Sequence, residues 1–183
     1  INEPTLLSGT ITAQTDILCH GAATGSFTVL ADEGAGTFPY LYSLDGGATT
    51  QSSGIFNGLS AGPLTVTIVD DNGCTGDIPE TINEPPLLEI ADASSNVICH
   101  SDCDGSATAT PSGGAGSYNY LWSNGSAGQT ATGLCPGTYE CIITDGNGCQ
   151  DSSSATITEP PLLETTGSFS NVICHSDCDG SAT

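Results

Sequence analysis

The chain of 183 residues contains no lysine and no arginine, against 21 aspartates and glutamates and three histidines. This absence excludes whole classes of partner. Nothing here can neutralise a phosphate backbone, so nucleic-acid binding is excluded. An anionic membrane surface has nothing to attract. No acidic side chain can pair with a basic one except through histidine. The fold must therefore rest on apolar burial, ladder hydrogen bonds and cross-links, and Lys–Asn isopeptide staples are impossible. Trypsin-like proteases have no residue to cut after. Methionine is also absent, and aromatic residues make up only 5% of the chain. No apolar run is long enough to span a bilayer, so direct membrane insertion is not expected, and no segment shows helical periodicity. The net charge of −21 comes with only 11% charged and 37% apolar residues, which is not the composition of a disordered chain.

What the chain does have is repetition. The stretch 96–108, Asn-Val-Ile-Cys-His-Ser-Asp-Cys-Asp-Gly-Ser-Ala-Thr, returns unchanged at 171–183. Glu84-Pro-Pro-Leu-Leu-Glu89 returns at Glu159 to Glu164, and Ile1-Asn2-Glu3-Pro4 returns as Ile82-Asn83-Glu84-Pro85. Offsets of 75 to 81 residues are too long for a helical solenoid and fit a string of small domains. Repeat 1 carries five extra residues after Ser43, which marks a surface loop there. The expected organisation is the end of a preceding repeat at 1–4, repeat 1 at 5–85, repeat 2 at 86–160, and a truncated third at 161–183. We read the chain as a window of a longer polypeptide, so the missing export signals say nothing about location.

Alternation at Leu64-Thr-Val66-Thr-Ile68 and Tyr139-Glu-Cys141-Ile-Ile143 marks one strand in each repeat. Further strands in repeat 2 are expected at 87–93, 96–99, 106–110, 118–123, 129–134 and 150–158. Gly and Asn clusters separate them. About seven short strands per unit predict an all-β fold of tandem immunoglobulin-like antiparallel β-sandwiches, arranged as a rod. Leu134-Cys-Pro-Gly137-Thr-Tyr139 has the form of a tyrosine corner, and Leu64 replaces the tyrosine in repeat 1. Tyr118, Tyr120 and Trp122 share one strand face and are read as core rather than as a sugar-binding platform.

Nine cysteines suit small cores that need staples and imply an oxidising, extracellular setting. Repeat 1 has only Cys19 and Cys74. They are expected to pair with each other, and Cys99 with Cys149. Ala23, Ser60 and Val66 replace Cys103, Cys135 and Cys141, which suggests a Cys103–Cys135 pair with Cys141 as a buried thiol; Cys103–Cys141 is the rival. Zinc at Cys-His-x-x-Cys is disfavoured because repeat 1 keeps the His without the second Cys. Asp70, Asn72, Asp145 and Asn147 are weak calcium candidates in Asp-x-Asn-Gly turns. The Asn-Gly hairpin is the preferred reading, and no resident cofactor is expected. His20, His100 and His175 recur in step, which argues for a structural role. No nucleophile–base or carboxylate pair recurs with them, so no enzyme is expected.

In order along the chain, Cys-x3-Cys-Asp-Gly-Ser-Ala-Thr, Gly-Gly-x-Gly-x-Tyr-x-Tyr-x-Trp-Ser, Leu-Cys-x-Gly-x-Tyr, Asp-x-Asn-Gly-Cys and Ile-x-Glu-Pro-Pro-x-Leu resemble the SprB-type repeat of very large surface adhesins of gliding bacteria. The resemblance implies type IX secretion, anchoring at the cell surface, and a filament that binds the substratum or polysaccharide. It offers no catalytic residues. The expected function is a repetitive stalk segment giving reach and multivalent attachment, with neighbouring repeats and surface polysaccharide as partners. The alternatives are a structural filament or surface-layer subunit without ligand binding, and a carbohydrate-binding accessory module of a secreted enzyme.

Overall fold

The computed structural model describes residues 6–34, 36–170 and 180–182. Among them there are strands and turns but no helix. Repeat 1 contributes β1 (Gly9–Thr15), β2 (Gly25–Ala31), β3 (Leu41–Ser43), β4 (Ile55–Leu59), β5 (Gly62–Val69) and β6 (Thr75–Ile82). Repeat 2 contributes β7 (Glu89–Ser95), β8 (Gly105–Ser112), β9 (Asn119–Trp122), β10 (Thr130–Leu134), β11 (Gly137–Thr144) and β12 (Gln150–Ile157). Each repeat forms two three-stranded antiparallel sheets, β1-β2-β4 with β3-β5-β6, and β7-β8-β10 with β9-β11-β12. This is the order A-B-E facing C-F-G of an immunoglobulin-like sandwich without its D strand.

The period-2 pattern explains which faces meet. Along β2 the residues alternate between buried and half-buried, placing Phe27 and Val29 against Val66 and Ile68 of β5. Burying a side chain of this size contributes roughly 1.5–3 kcal/mol. The two cores are filled with different parts. Repeat 1 stacks Phe27 on Phe56, ring centroids 5.3 Å apart, within the first sheet. Repeat 2 has Ala107 and Ala131 in those places, and Trp122 of the opposite sheet fills the space. That exchange of volume keeps the interior close-packed. The indole of Trp122 is 1% exposed, and its Nε1–H donates to the Gly128 carbonyl at 2.9 Å. Tyr118 and Tyr120 are half-buried against the same core, so this face is interior and not a sugar platform.

One strand expected from the sequence is absent, and the expected loop after Ser43 is present. Repeat 2 has six strands, because 96–99 is a turn and not a strand. Val97 is apolar because it packs into the core from the loop, while the Asn96 side chain accepts the Thr158 N–H. The five extra residues of repeat 1 form an ordered loop. There the buried Ser43 hydroxyl accepts the Asp45 and Gly47 N–H groups, and Asp45 in turn holds Thr49.

Residues 83–88 connect the repeats without strand structure, yet they are held on both sides. Asn83 accepts the Ile17 N–H and donates to Asp16, the Pro86 carbonyl accepts the Gly114 N–H, and Leu88 is buried in repeat 2. Beyond repeat 2, β13 (Phe169–Ser170) pairs with β14 (Ser181–Ala182). The register, Phe169 with Ala182 and Ser170 with Ser181, is that of Ser94 with Ala107 and Ser95 with Ser106. His175 lies outside the described residues.

Candidate functional site: the joint between repeats

The sandwich topology decides which loops share an end. The loop from β1 to β2, the corner from β4 to β5 and the close of β6 gather at one end of repeat 1. The hairpin from β5 to β6 lies at the other. One eight-residue strand, roughly 26 Å long, separates the two ends. A disulfide tolerates Cα atoms no more than about 7 Å apart. Cys19 and Cys74 sit at opposite ends of one sandwich, as do Cys99 and Cys149, so the expected pairs within repeats are overturned. Cys19 of repeat 1 instead joins Cys149 of repeat 2, with Cα atoms 5.6 Å apart across a sequence separation of 130. Cys103 joins Cys135, both at the same end of repeat 2. Cys74 and Cys99 are exposed free thiols, and Cys141 is a buried one. Burial pushes the Cys141 thiol up and keeps it protonated.

The cross-link is embedded in a network. Asn147 Nδ2 donates to the Leu18 carbonyl at 2.8 Å, beside the Cys149 sulfur. The Gly21 N–H donates to the Glu84 carboxylate at 2.7 Å. His20 Nδ1 lies 3.1 Å from the Pro85 carbonyl and 3.4 Å from Glu84. Both neighbours can only accept, so Nδ1 carries the proton. A residual cavity of about 220 Å³ remains between the Cys19–His20 loop, Pro85–Leu88 and Asp145 to Asp151.

The Asp145-Gly-Asn-Gly turn builds the hairpin side of this joint, and the Asp70 turn is its counterpart at the far end of repeat 1. Asp145 Oδ1 accepts the N–H groups of Asn147 and Cys149, and Oδ2 that of Ala115. Asp70 does the same with Asn72, Cys74 and Thr37. The Ala115 N–H, helped by those of Cys149 and Asn147, holds the Asp145 carboxyl below its usual range against the opposing effect of burial. For Asp70 burial is the largest single influence and pushes upward, but the Cys74, Thr37 and Asn72 N–H groups together outweigh it. Gly73 and Gly148 close both hairpins at φ +78° and +87°, where a side chain would be strained. Asp70, Asn72, Asp145 and Asn147, the calcium candidates of the sequence, all lie in these turns. The two carboxylates point at backbone donors, and Asn147 donates to the neighbouring repeat. Among the described residues no group of three His, Cys, Asp or Glu is placed to hold a metal.

At the corner entering β11, the Tyr139 hydroxyl donates to the Cys135 carbonyl at 3.0 Å, Leu134 is 1% exposed, and Gly137 begins the strand. Cys141 follows two residues later and stands opposite Trp122 in the ladder. The pairing of histidine with glutamate escaped the sequence reading. The signal for it was present: His20 and His100 are each followed further along by a Glu-Pro, at Glu84 and Glu159.

Among the described residues no helix is long and apolar enough to cross a membrane. The SprB repeat family model matches the chain at residues 11–49 and 91–127. No curated protein sequence matches it. Solved structures with a similar backbone include one described as the structural basis for Dscam isoform specificity, with 15% identity and a TM-score of 0.37, covering 87% of this chain and 48% of that one. The N-terminal four Ig domains of Dscam1 isoform 6.9 match at 12% identity and a TM-score of 0.34, covering 76% and 42%. The chain thus spans less than half the length of these structures.

Proposed function

We propose that this chain, which carries SprB-type repeats, is a stalk segment of a secreted cell-surface adhesin that supplies reach and multivalent attachment and performs no catalysis. One observation carries the reading: the loop end that repeat 1 presents to the joint recurs in repeat 2. His100 Nδ1 lies 3.1 Å from the Pro160 carbonyl and 3.3 Å from Glu159, and the Ser101 N–H donates to Glu159 at 2.7 Å. These contacts duplicate those of His20, Gly21, Glu84 and Pro85. A loop end that recurs in kind offers each following repeat the same surface, which suits an extended stalk. The acidic surface, without one basic side chain, keeps neighbouring stalks apart. Partners under this reading are neighbouring repeats and surface polysaccharide. The burial of Trp122 favours a stalk over a carbohydrate-binding module.

Avidity is the testable content. Beads coated with an acidic or a neutral polysaccharide are presented with this chain and with arrays of four and eight repeat pairs. The expected result is weak or undetectable capture by the single chain and capture that rises steeply with array length. Tight binding of a defined glycan by the single chain would replace the stalk by a binding module. No capture by any array would leave a filament without ligand.

A further inference from the structure

Among the described residues, the two free exposed cysteines occupy positions equivalent to the two halves of the joint that Cys19 and Cys149 close. Cys99 corresponds to Cys19, and Cys74 to Cys149. Around Cys99, the His100 and Ser101 contacts with Glu159 and Pro160 are already made, as they are around Cys19. Around Cys74, Leu6, Leu7, Gly36, Thr37, Asp70 and Asn72 line an open pocket of about 440 Å³. Their counterparts in repeat 2 receive the Leu18–His20 loop.

Three differences separate the closed joint from its open halves. Asn147 donates to Leu18 of the other repeat, whereas Asn72 turns back to the Thr37 hydroxyl of its own at 2.8 Å. Leu18, inserted, is 58% exposed, and its counterpart Ile98 is 79% exposed. Leu87, covered, is 53% exposed, and its counterpart Leu6 is 83% exposed. The open halves thus show the apolar surface that docking would cover, and in Asn72 a donor now spent within its own repeat.

We propose that the Leu18–His20 loop and the Asp-x-Asn-Gly-Cys hairpin are the plug and socket of a serial covalent joint, so that Cys99 bonds the hairpin cysteine of an adjoining repeat of this kind, and Cys74 the plug cysteine of another. Each bond forms by thiol–disulfide exchange. Two thiols lose two protons and two electrons to a small disulfide such as oxidised glutathione, which leaves as two thiols. The inference rests on the tandem-repeat part of the proposed function and not on adhesion. It turns a row of domains into overlapping covalent loops, since the loop from Cys19 to Cys149 contains Cys99, where the next loop starts.

Two extended chains test it. The first carries the sequence 86–156 ahead of Ile1, adding a complete unit whose copy of Cys99 faces Cys74. The second carries the sequence 109–160 after Thr183, completing the third unit and bringing a copy of Cys149 to Cys99. In both, the copy of Gln150 is replaced by Asn, so that its peptide differs in mass from the original, and in the first the copy of Ile98 becomes Val for the same purpose. After refolding with oxidised and reduced glutathione, an Asp-specific protease and mass spectrometry identify the linked peptides. The expected result is a link from Cys74 to the added plug cysteine in the first chain, and from Cys99 to the added hairpin cysteine in the second. Alkylation of that thiol should slow at least tenfold relative to the parent chain. Circular dichroism and thermal unfolding report whether the added unit has folded, and the front-added unit is complete in itself. A folded added unit beside a thiol that still alkylates at the parent rate, with Cys19–Cys149 formed in the same molecule, overturns the proposal. Bead capture, measured separately, would still judge the adhesive reading.

Discussion

Cys19 and Cys149 stand 5.6 Å apart at their Cα atoms, although 130 residues of sequence separate them and they belong to different sandwiches. The covalent path from one end of the chain to the other therefore crosses from repeat 1 directly into repeat 2. Residues between the two sulfurs are shielded from tension applied at the ends.

This predicts a redox-dependent length. Pulled from its termini under oxidising conditions, the chain should yield only the segments outside the bond. After reduction it should release a further contour length on the order of 450 Å, about 3.3–3.6 Å for each enclosed residue. Single-molecule force spectroscopy with and without a reductant measures the difference. Equal extension in both conditions would mean that the repeats are not cross-linked to each other.

The sequence disclosed the fold more fully than the site, for identifiable reasons. The alternation at Leu64–Ile68 and at Tyr139–Ile143 is a local pattern with one structural meaning, and those residues lie in β5 and β11 as the pattern requires. The Leu134–Tyr139 corner is local too. Cysteine pairing is not. In a tandem repeat, the joint presence of Cys19 and Cys74 looks the same whether each bonds within its own unit or across to the next. Only the placement of loops at opposite ends of the sandwich decides between them. Val97 misled in a different way, because a core residue on a loop carries the same apolar signature as one on a strand.

The single tryptophan sets the stability of repeat 2. Trp122→Ala removes the indole that fills the space left by Ala107 and Ala131, and it should cost about 3–5 kcal/mol. Tyr139→Phe removes only the corner hydrogen bond and should cost about 0.5–1.5 kcal/mol. Urea unfolding followed separately in the two repeats checks both values. A Trp122→Ala loss below that of Tyr139→Phe would contradict the packing described here.

Asp145 links the hairpin to the Ala115 loop as a carboxylate. Its folded-state pKa is depressed. Its contribution is therefore fully present above the unfolded value near 4 and is lost as pH falls through the folded value. Asp145→Asn should lower the thermal midpoint at pH 7, and the gap from the parent protein should narrow below about pH 4. A gap independent of pH would show that the charge is not what the backbone donors recognise.

Repeat 1 has Ala23 and Ser60 where repeat 2 has the Cys103–Cys135 bond. The backbones match there, since a Cβ placed at Gly58 would lie 3.9 Å from the Ala23 carbonyl, and one at Gly133 would lie 3.9 Å from that of Cys103. The double substitution Ala23→Cys with Ser60→Cys should form a disulfide in repeat 1. It should stabilise that repeat by up to about 3–4 kcal/mol on the chain-entropy account. Thermal unfolding with and without reductant measures the gain, and a double variant whose new thiols remain free would refute the equivalence.

The pairing of Cys19 is the central claim, and peptide mapping without reduction tests it most directly. The native chain is alkylated, digested with an Asp-specific protease and analysed for linked peptides. The account predicts the Cys19 peptide joined to that of Cys149, with Cys74 and Cys99 alkylated and Cys141 protected until the chain unfolds. A Cys19–Cys74 link together with a Cys99–Cys149 link would contradict it, returning each repeat to a closed unit with no covalent joint between them.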